Sequence, residues 1–123
     1  MTIIFASFVR SVPHPLEHLK IYNSISIPHH DTEIIVEGPV SPERLRTYTM
    51  HSDLDAFRRP KEQFAALVEI AELPEGRIIV AREGEQIVGY VTFHYPDELE
   101  RWSEGNMIDL IELGAIEVAD DYR

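Results

Sequence analysis

The sequence predicts a domain of the α/β class in its α+β form, with a mixed, mostly antiparallel sheet and two helices near its N-terminal side. A β-rich segment at residues 32–37 ends at Gly38-Pro39, which is a strong stop signal. Apolar residues recur at helical spacing across residues 60–73. Two further strand patterns, at residues 77–82 and 86–93, flank a tight turn and therefore predict an antiparallel hairpin.

Each of the two helices has a recognisable start. Ser41 can cap the first helix with Pro42 at its first helical position, and we expect this helix to reach about Thr49. Pro60 can stand in the first turn of the second helix, which extends to Leu73. The apolar positions that predict this second helix are Phe64, Leu67, Val68 and Ala71.

The composition is that of a soluble globular protein, and the 123 residues allow one domain. The formal net charge of −11 argues against nucleic acid as a partner, because phosphate binding needs a basic face. An anionic membrane surface would also repel the chain, and no apolar run approaches the roughly 20 residues that span a bilayer. The absence of cysteine excludes disulfides, thiolate zinc sites and cysteine nucleophiles. It is typical of a cytoplasmic protein.

The N-terminal segment differs from the rest of the chain. Residues 3–9 are apolar, but no basic residues precede them as they would in a signal peptide. Residues 11–15 contain two prolines and separate this stretch from the later segments. We therefore interpret residues 1–31 as an N-terminal extension, partly unstructured, and residues 32–123 as the domain.

The last strand pattern, at residues 110–118, is apolar at both odd and even positions. Such a pattern is typical of a central strand that is covered on both faces. A central strand needs a neighbour on each side, and the hairpin supplies only one. We therefore expect that the chain lacks the rest of its domain and leaves this strand with an unpaired edge, through which copies of the chain would self-associate. The alternative is an edge strand shielded in a dimer.

The predicted order of strand, helix, helix and three strands resembles the first half of the GCN5-related N-acetyltransferase (GNAT) fold, truncated after its fourth strand. Residues 77–93 resemble the second and third strands of that fold, and residues 113–123 resemble the fourth strand and its exit. In the family, a Val at the position of Val118 is followed five residues later by an Arg or Gln that opens the phosphate-binding loop. Arg123 falls on that opening position.

A closer resemblance is carried by residues 36–45, 73–82, 99–105 and 110–118. These stretches are similar to GNAT members of bacilli that acetylate a lysine of acetyl-CoA synthetase and so switch it off. The resemblance implies the N-terminal portion of a lysine acetyltransferase that regulates this synthetase in acetoin and acetate metabolism, with acetyl-CoA as cosubstrate. Because the phosphate-binding loop is missing, we expect this chain to be inactive. Two alternatives are a non-catalytic protein-interaction module and a small-molecule amine acetyltransferase of the same fold.

The resemblance also implies the general base. In some relatives the base is a Glu on the fourth strand, eleven positions before the residue that opens the loop, and that position is Glu112. Its apolar neighbours on the strand would raise its pKa toward a useful value. The alternative is a Glu without a catalytic role on a solvent-facing patch of the strand. Glu117 is the rival, and in a regular strand the two carboxylates would point to opposite faces. A bulge, for which Gly114 is a natural site, would alter that relation.

Further contacts to the cosubstrate are implied by the resemblance alone. Ile116, Glu117 and Val118 would lend backbone groups to the acetyl and pantetheine parts of acetyl-CoA, and Arg123 would open the loop that holds the pyrophosphate. No metal is expected, because the adjacent His29 and His30 point apart on an extended chain.

Overall fold

A computed structural model describes the backbone of residues 2–9, 21–94 and 110–123, and side chains over residues 21–94 and 113–123. Within these ranges the chain forms one mixed sheet and two helices. In chain order the elements are β1 (Thr2–Val9), β2 (Asn23–His29), β3 (Thr32–Gly38), α1 (Pro42–Leu45), β4 (Thr49–Met50), α2 (Pro60–Glu72), β5 (Gly76–Glu83), β6 (Gln86–His94), β7 (Leu110–Val118) and a 3₁₀ helix (Asp120–Tyr122).

The sheet is mostly antiparallel, and its strand order is β1-β7-β6-β5-β3-β2. The short strand β4 pairs parallel with β6, whereas every other described pairing is antiparallel. This architecture confirms the predicted fold class. The β5–β6 hairpin also matches its prediction, and Gly84 in its turn has a φ of +57°, a conformation that costs glycine little.

The two helices begin where the sequence predicts them. The Oγ of Ser41 accepts a hydrogen bond from Arg44 N at 3.2 Å, and Pro42 and Pro60 stand at the helix starts. The first helix is shorter than predicted and ends at Leu45 rather than near Thr49. The reason is that Thr49 N donates to Glu85 O at 2.9 Å, so that this segment joins the sheet as β4.

The hydrophobic core lies between the helices and one face of the sheet. Its large, completely buried side chains include Leu45, Leu54, Leu67, Ile78, Val80 and Ile87. They come from both helices, the segment between them and two neighbouring strands, so burial of these apolar side chains holds the helices against β5 and β6. No helix in the described ranges has the length and apolar character needed to span a bilayer.

Strand β7 has a neighbour on each side, and this corrects one prediction. In addition to its pairing with β6, β7 pairs antiparallel with β1, from Thr2 opposite Val118 to Val9 opposite Leu110. The expectation of an unpaired edge on the last strand was therefore wrong, and with it the basis for self-association through that edge. The second neighbour is the chain's own apolar N-terminal stretch. Residues 2–9 and 23–29, which the sequence had assigned to a partly unstructured extension, are β1 and β2 of this sheet.

Candidate functional site

A β-bulge interrupts the pairing of β6 with β7. Thr92 lies opposite Ala115 and Phe93 lies opposite Leu113, so that Gly114 is the extra residue on β7. The pairing of β1 with β7 shifts at the same place, between Ile4 and Ala6. The bulge therefore lies at Gly114, the position that the sequence analysis named as a natural site for one.

The bulge changes the relation between the two candidate bases. By register Glu112 lies opposite His94, and Glu117 lies opposite Tyr90. His94 and Tyr90 are four positions apart on β6, an even spacing, whereas Glu112 and Glu117 are five positions apart on β7. The extra residue compensates for this odd spacing, and without it Leu113 would lie opposite His94. The side chain of Glu112 lies outside the described part of the structure.

Glu117, the rival base, is completely buried beneath the segment that joins β4 to α2. Its Oε1 accepts a hydrogen bond from Ala56 N at 3.0 Å, and its Oε2 accepts one from the Tyr90 hydroxyl at 2.6 Å. Burial, followed by the hydrogen bond to this carboxylate, raises the pKa of Tyr90 above its ordinary value. Both oxygens of Glu117 are thus engaged with the protein, and the side chain ties β7 to the segment containing Ala56.

The backbone that the resemblance assigns to acetyl-CoA is engaged in the sheet. Ile116, Glu117 and Val118 lie opposite Ile4, Ile3 and Thr2 of β1, and opposite Val91, Tyr90 and Gly89 of β6. Their strand is therefore paired along both edges. Arg123 is exposed, and its Nη2 lies 3.0 Å from Asp120 Oδ1.

Known proteins that are similar to this chain in sequence and structure are acetoin utilization proteins. Over 108 residues the chain is 66% identical to the acetoin utilization protein AcuA of Bacillus subtilis and 56% identical to AcuA of Bacillus licheniformis. The crystal structure of an acetoin utilization protein from Exiguobacterium sibiricum is 54% identical, and it matches 80% of this chain with a TM-score of 0.70. The chain is a close homologue of the acetoin utilization proteins. No protein-family model matches it.

The match to these relatives is partial. The two sequence matches cover 88% of this chain but only 51% of each AcuA sequence. The structural match covers 47% of the solved structure's chain. The chain thus spans about half the length of the relatives it matches, and the homology supports an N-terminal portion of an acetoin utilization protein. The closer resemblance is therefore confirmed as one to acetoin utilization proteins, and the acetylation that it implies stays a prediction.

A second buried carboxylate, on β3, was not among the candidates from the sequence. Glu37 is 1% exposed, and its Oε1 lies 3.0 Å from Arg82 Nε while its Oε2 lies 3.4 Å from Arg44 Nη2. The Tyr22 hydroxyl donates to Oε2 at 2.5 Å, and the Tyr48 hydroxyl donates to Oε1. Four side chains, from β5, α1 and the segments before β2 and β4, therefore meet at this one carboxylate of β3.

The partners of Glu37 keep it ionised. Burial alone would raise its pKa, but hydrogen bonds from Arg82, Tyr22 and Tyr48 outweigh burial and lower the pKa to about 2. A carboxylate with four protein partners and both oxygens engaged is suited to holding β3 against β5 and α1. Its sequence signal was weak, because the two arginines are 7 and 45 positions away.

His29, one of the two adjacent histidines, lies against an aromatic ring. The rings of His29 and Tyr122 stack with centroids 4.8 Å apart, and His51 meets the same tyrosine edge-on at 5.8 Å. Among the described residues, no group of three or more His, Asp or Glu side chains could hold a metal ion.

Proposed function

We propose that this chain is the N-terminal portion of a cytoplasmic N-acetyltransferase that acetylates a lysine of a protein, with acetyl-CoA as cosubstrate and acetyl-CoA synthetase as the protein substrate. The 66% identity to an acetoin utilization protein supports a role in acetoin and acetate metabolism. The GNAT resemblance of β5, β6 and β7 supports the chemistry. The observation that carries the proposal is the bulge at Gly114. It sets the register of Glu112 on β7, the strand on which the resemblance implies the general base.

Acetyl transfer to an amine requires a base. A lysine ammonium cannot attack a thioester until it loses a proton, and a positioned carboxylate can take that proton. Glu117 does not suit this task, because both of its oxygens are engaged and it is completely buried. Glu112 therefore remains the candidate. It would accept one proton from the lysine Nζ, and the neutral amine would then attack the thioester carbonyl carbon. The new N–C bond forms as the C–S bond to coenzyme A breaks, and the second amine proton goes to the departing thiolate, which leaves as free coenzyme A.

The fit of acetyl-CoA to this chain is incomplete. Acetyl-CoA would supply the acetyl thioester, and the exposed guanidinium of Arg123 suits contact with its phosphates. The backbone of residues 116–118 does not fit while β1 occupies the outer edge of β7. Binding of the cosubstrate through that backbone would require β1 to leave.

The paired edge also favours a second candidate function. If β1 remains on β7, the described part of the chain offers no free backbone edge at residues 116–118, and the chain would act as a protein-interaction module without catalysis. Titration with acetyl-CoA separates the two candidates, since only the acetyltransferase should bind it.

The proposed function is tested by incubating the full-length gene product with acetyl-CoA and purified acetyl-CoA synthetase, and by mass spectrometry of the synthetase lysines. The expected result is acetylation of one or a few lysines, with slow or no transfer to small amines at the same concentration. Faster transfer to small amines would identify a small-molecule acetyltransferase of the same fold. Absence of both transfer and acetyl-CoA binding would contradict the acetyltransferase proposal.

A further inference from the structure

The side chain of Thr92, on the opposite strand β6, packs against the bulge at Gly114. Thr92 of β6 is 5% exposed, and its Oγ1 accepts a hydrogen bond from Ala115 N at 3.0 Å. A Cβ placed on Gly114 would lie 2.5 Å from the same Oγ1. The threonine hydroxyl therefore occupies the space that a side chain at position 114 would need.

The hydroxyl of Thr92 satisfies a backbone group at the point where the regular register breaks. A bulge disturbs the ladder locally, and an unpaired N–H that is shielded from water is costly. Here the amide of Ala115 obtains its acceptor from a side chain. The bulge is thus stabilised by two complementary features: a glycine on β7 that leaves space, and a hydroxyl on β6 that fills the space and bonds.

The bulge beside this contact sets which residue lies opposite His94. With the bulge, Glu112 takes that position, and without it Leu113 would. We infer that Thr92 is a positioning residue, which acts through the Gly114 bulge to hold Glu112 in the register of the candidate active site. The inference rests on the proposed function, in which Glu112 is the base, but Thr92 itself touches no reacting group.

The test compares Thr92→Val with Thr92→Ser in the full-length gene product. Valine keeps the shape of threonine but removes the acceptor for Ala115 N, whereas serine keeps it. For Thr92→Val we expect kcat for lysine acetylation to fall by about 10- to 100-fold, as a base displaced by about 1 Å would cause. The KM for acetyl-CoA should stay within about twofold, and Thr92→Ser should restore most of the kcat. Faster hydrogen exchange at the Ala115 amide in Thr92→Val should accompany the loss.

Thr47→Val is the matched control. Thr47 is exposed, and its hydroxyl donates to Arg44 O at 2.6 Å, far along the chain from the bulge. We expect it to leave kcat unchanged. If Thr92→Val does not fold, Thr92→Ala with Gly114→Ala replaces it, because removal of the hydroxyl leaves room for the new Cβ, and the same fall in kcat is expected.

The outcomes separate this inference from the proposed function. A wild-type protein that acetylates lysine, together with a folded Thr92→Val protein of undiminished kcat, would overturn the inference and leave the proposed function standing. A fall in kcat that serine does not rescue would also overturn it, since the hydroxyl would then be irrelevant. A wild-type protein that transfers no acetyl group would overturn both.

Discussion

The Tyr90 hydroxyl donates a 2.6 Å hydrogen bond to Glu117 Oε2, and the two residues lie directly opposite each other on β6 and β7. The other oxygen of Glu117 holds Ala56 N at 3.0 Å. One buried carboxylate thus joins two strands to the segment that precedes α2. Because the sheet and that segment depend on the same group, its loss should affect both.

Tyr90→Phe should lower the free energy of unfolding by about 1–3 kcal/mol, since it leaves a buried carboxylate oxygen without its donor. Urea denaturation measures the change. The double variant with Glu117→Gln provides the control, because the two substitutions share one interaction and their effects should not add. Additive effects would show that the hydrogen bond contributes little to stability.

Glu37 should make stability depend on pH in the acid range. Its pKa is lowered to about 2 in the folded protein from an ordinary value of 4.5, so its stabilising contribution is complete above about pH 4.5. The contribution is lost as the pH falls from there toward 2, because protonation then favours the unfolded chain. Glu37→Gln should be less stable than the wild type at pH 7, and its stability should fall less steeply between about pH 4.5 and 3.

Glu72→Gln is the control for this pH dependence. The ion pair of Glu72 with Arg46 spans 3.1 Å, but both side chains are about half exposed, and exposed pairs contribute little. Unfolding curves for Glu72→Gln should therefore match those of the wild type at each pH. If the stability of Glu37→Gln falls between about pH 4.5 and 3 as steeply as that of the wild type, another carboxylate causes the loss of stability in acid.

Local signals explain what could be predicted from the sequence. The hairpin of β5 and β6 was placed to within one residue at each end, because its turn and strand patterns lie next to each other in the chain. The start of each helix was indicated by a proline at its first position, with a Ser41 cap on α1. The bulge at Gly114 was also predictable, since a glycine inside an apolar strand is a frequent bulge site.

Pairings between distant residues explain what could not be predicted. The pairing of Thr2 with Val118 joins nearly the two ends of the chain, and no local pattern specifies it. The partners of Glu37 and Glu117 come from other elements, so an isolated Glu on an apolar strand carries no sign of them. For the candidate base, the sequence supplied Glu112 by resemblance, and the structure adds the register that relates it to His94.

Removal of residues 1–9 should change both self-association and binding of acetyl-CoA. Without β1, the outer edge of β7 would present unpaired backbone groups, and exposed edges of this kind promote pairing between chains. Light scattering should therefore show larger species than for the intact chain. If residues 116–118 bind the cosubstrate, its Kd measured by calorimetry should also fall.

A synthetic peptide of residues 1–9 provides the control for that deletion. Added in excess, it should restore the smaller species and weaken acetyl-CoA binding again, because it would pair with the same edge. A truncated chain that remains monomeric and binds acetyl-CoA no better than the intact chain would contradict the role of β1 as a cover for this edge.

In the proposed acetyltransferase, Glu112→Gln should be the most damaging single substitution for activity. Glutamine has almost the size and shape of glutamate but cannot take a proton from the lysine ammonium, so kcat should fall by on the order of 10²- to 10⁴-fold, the usual contribution of a positioned base. Affinity for acetyl-CoA should change little, which calorimetry would check. Glu117→Gln should instead reduce stability, because Glu117 has two buried hydrogen bonds and no access to an acceptor amine. The reverse pattern, with Glu117→Gln inactive but fully stable and Glu112→Gln active, would assign the base to Glu117. It would also show that Tyr90 and Ala56 release that carboxylate during the reaction.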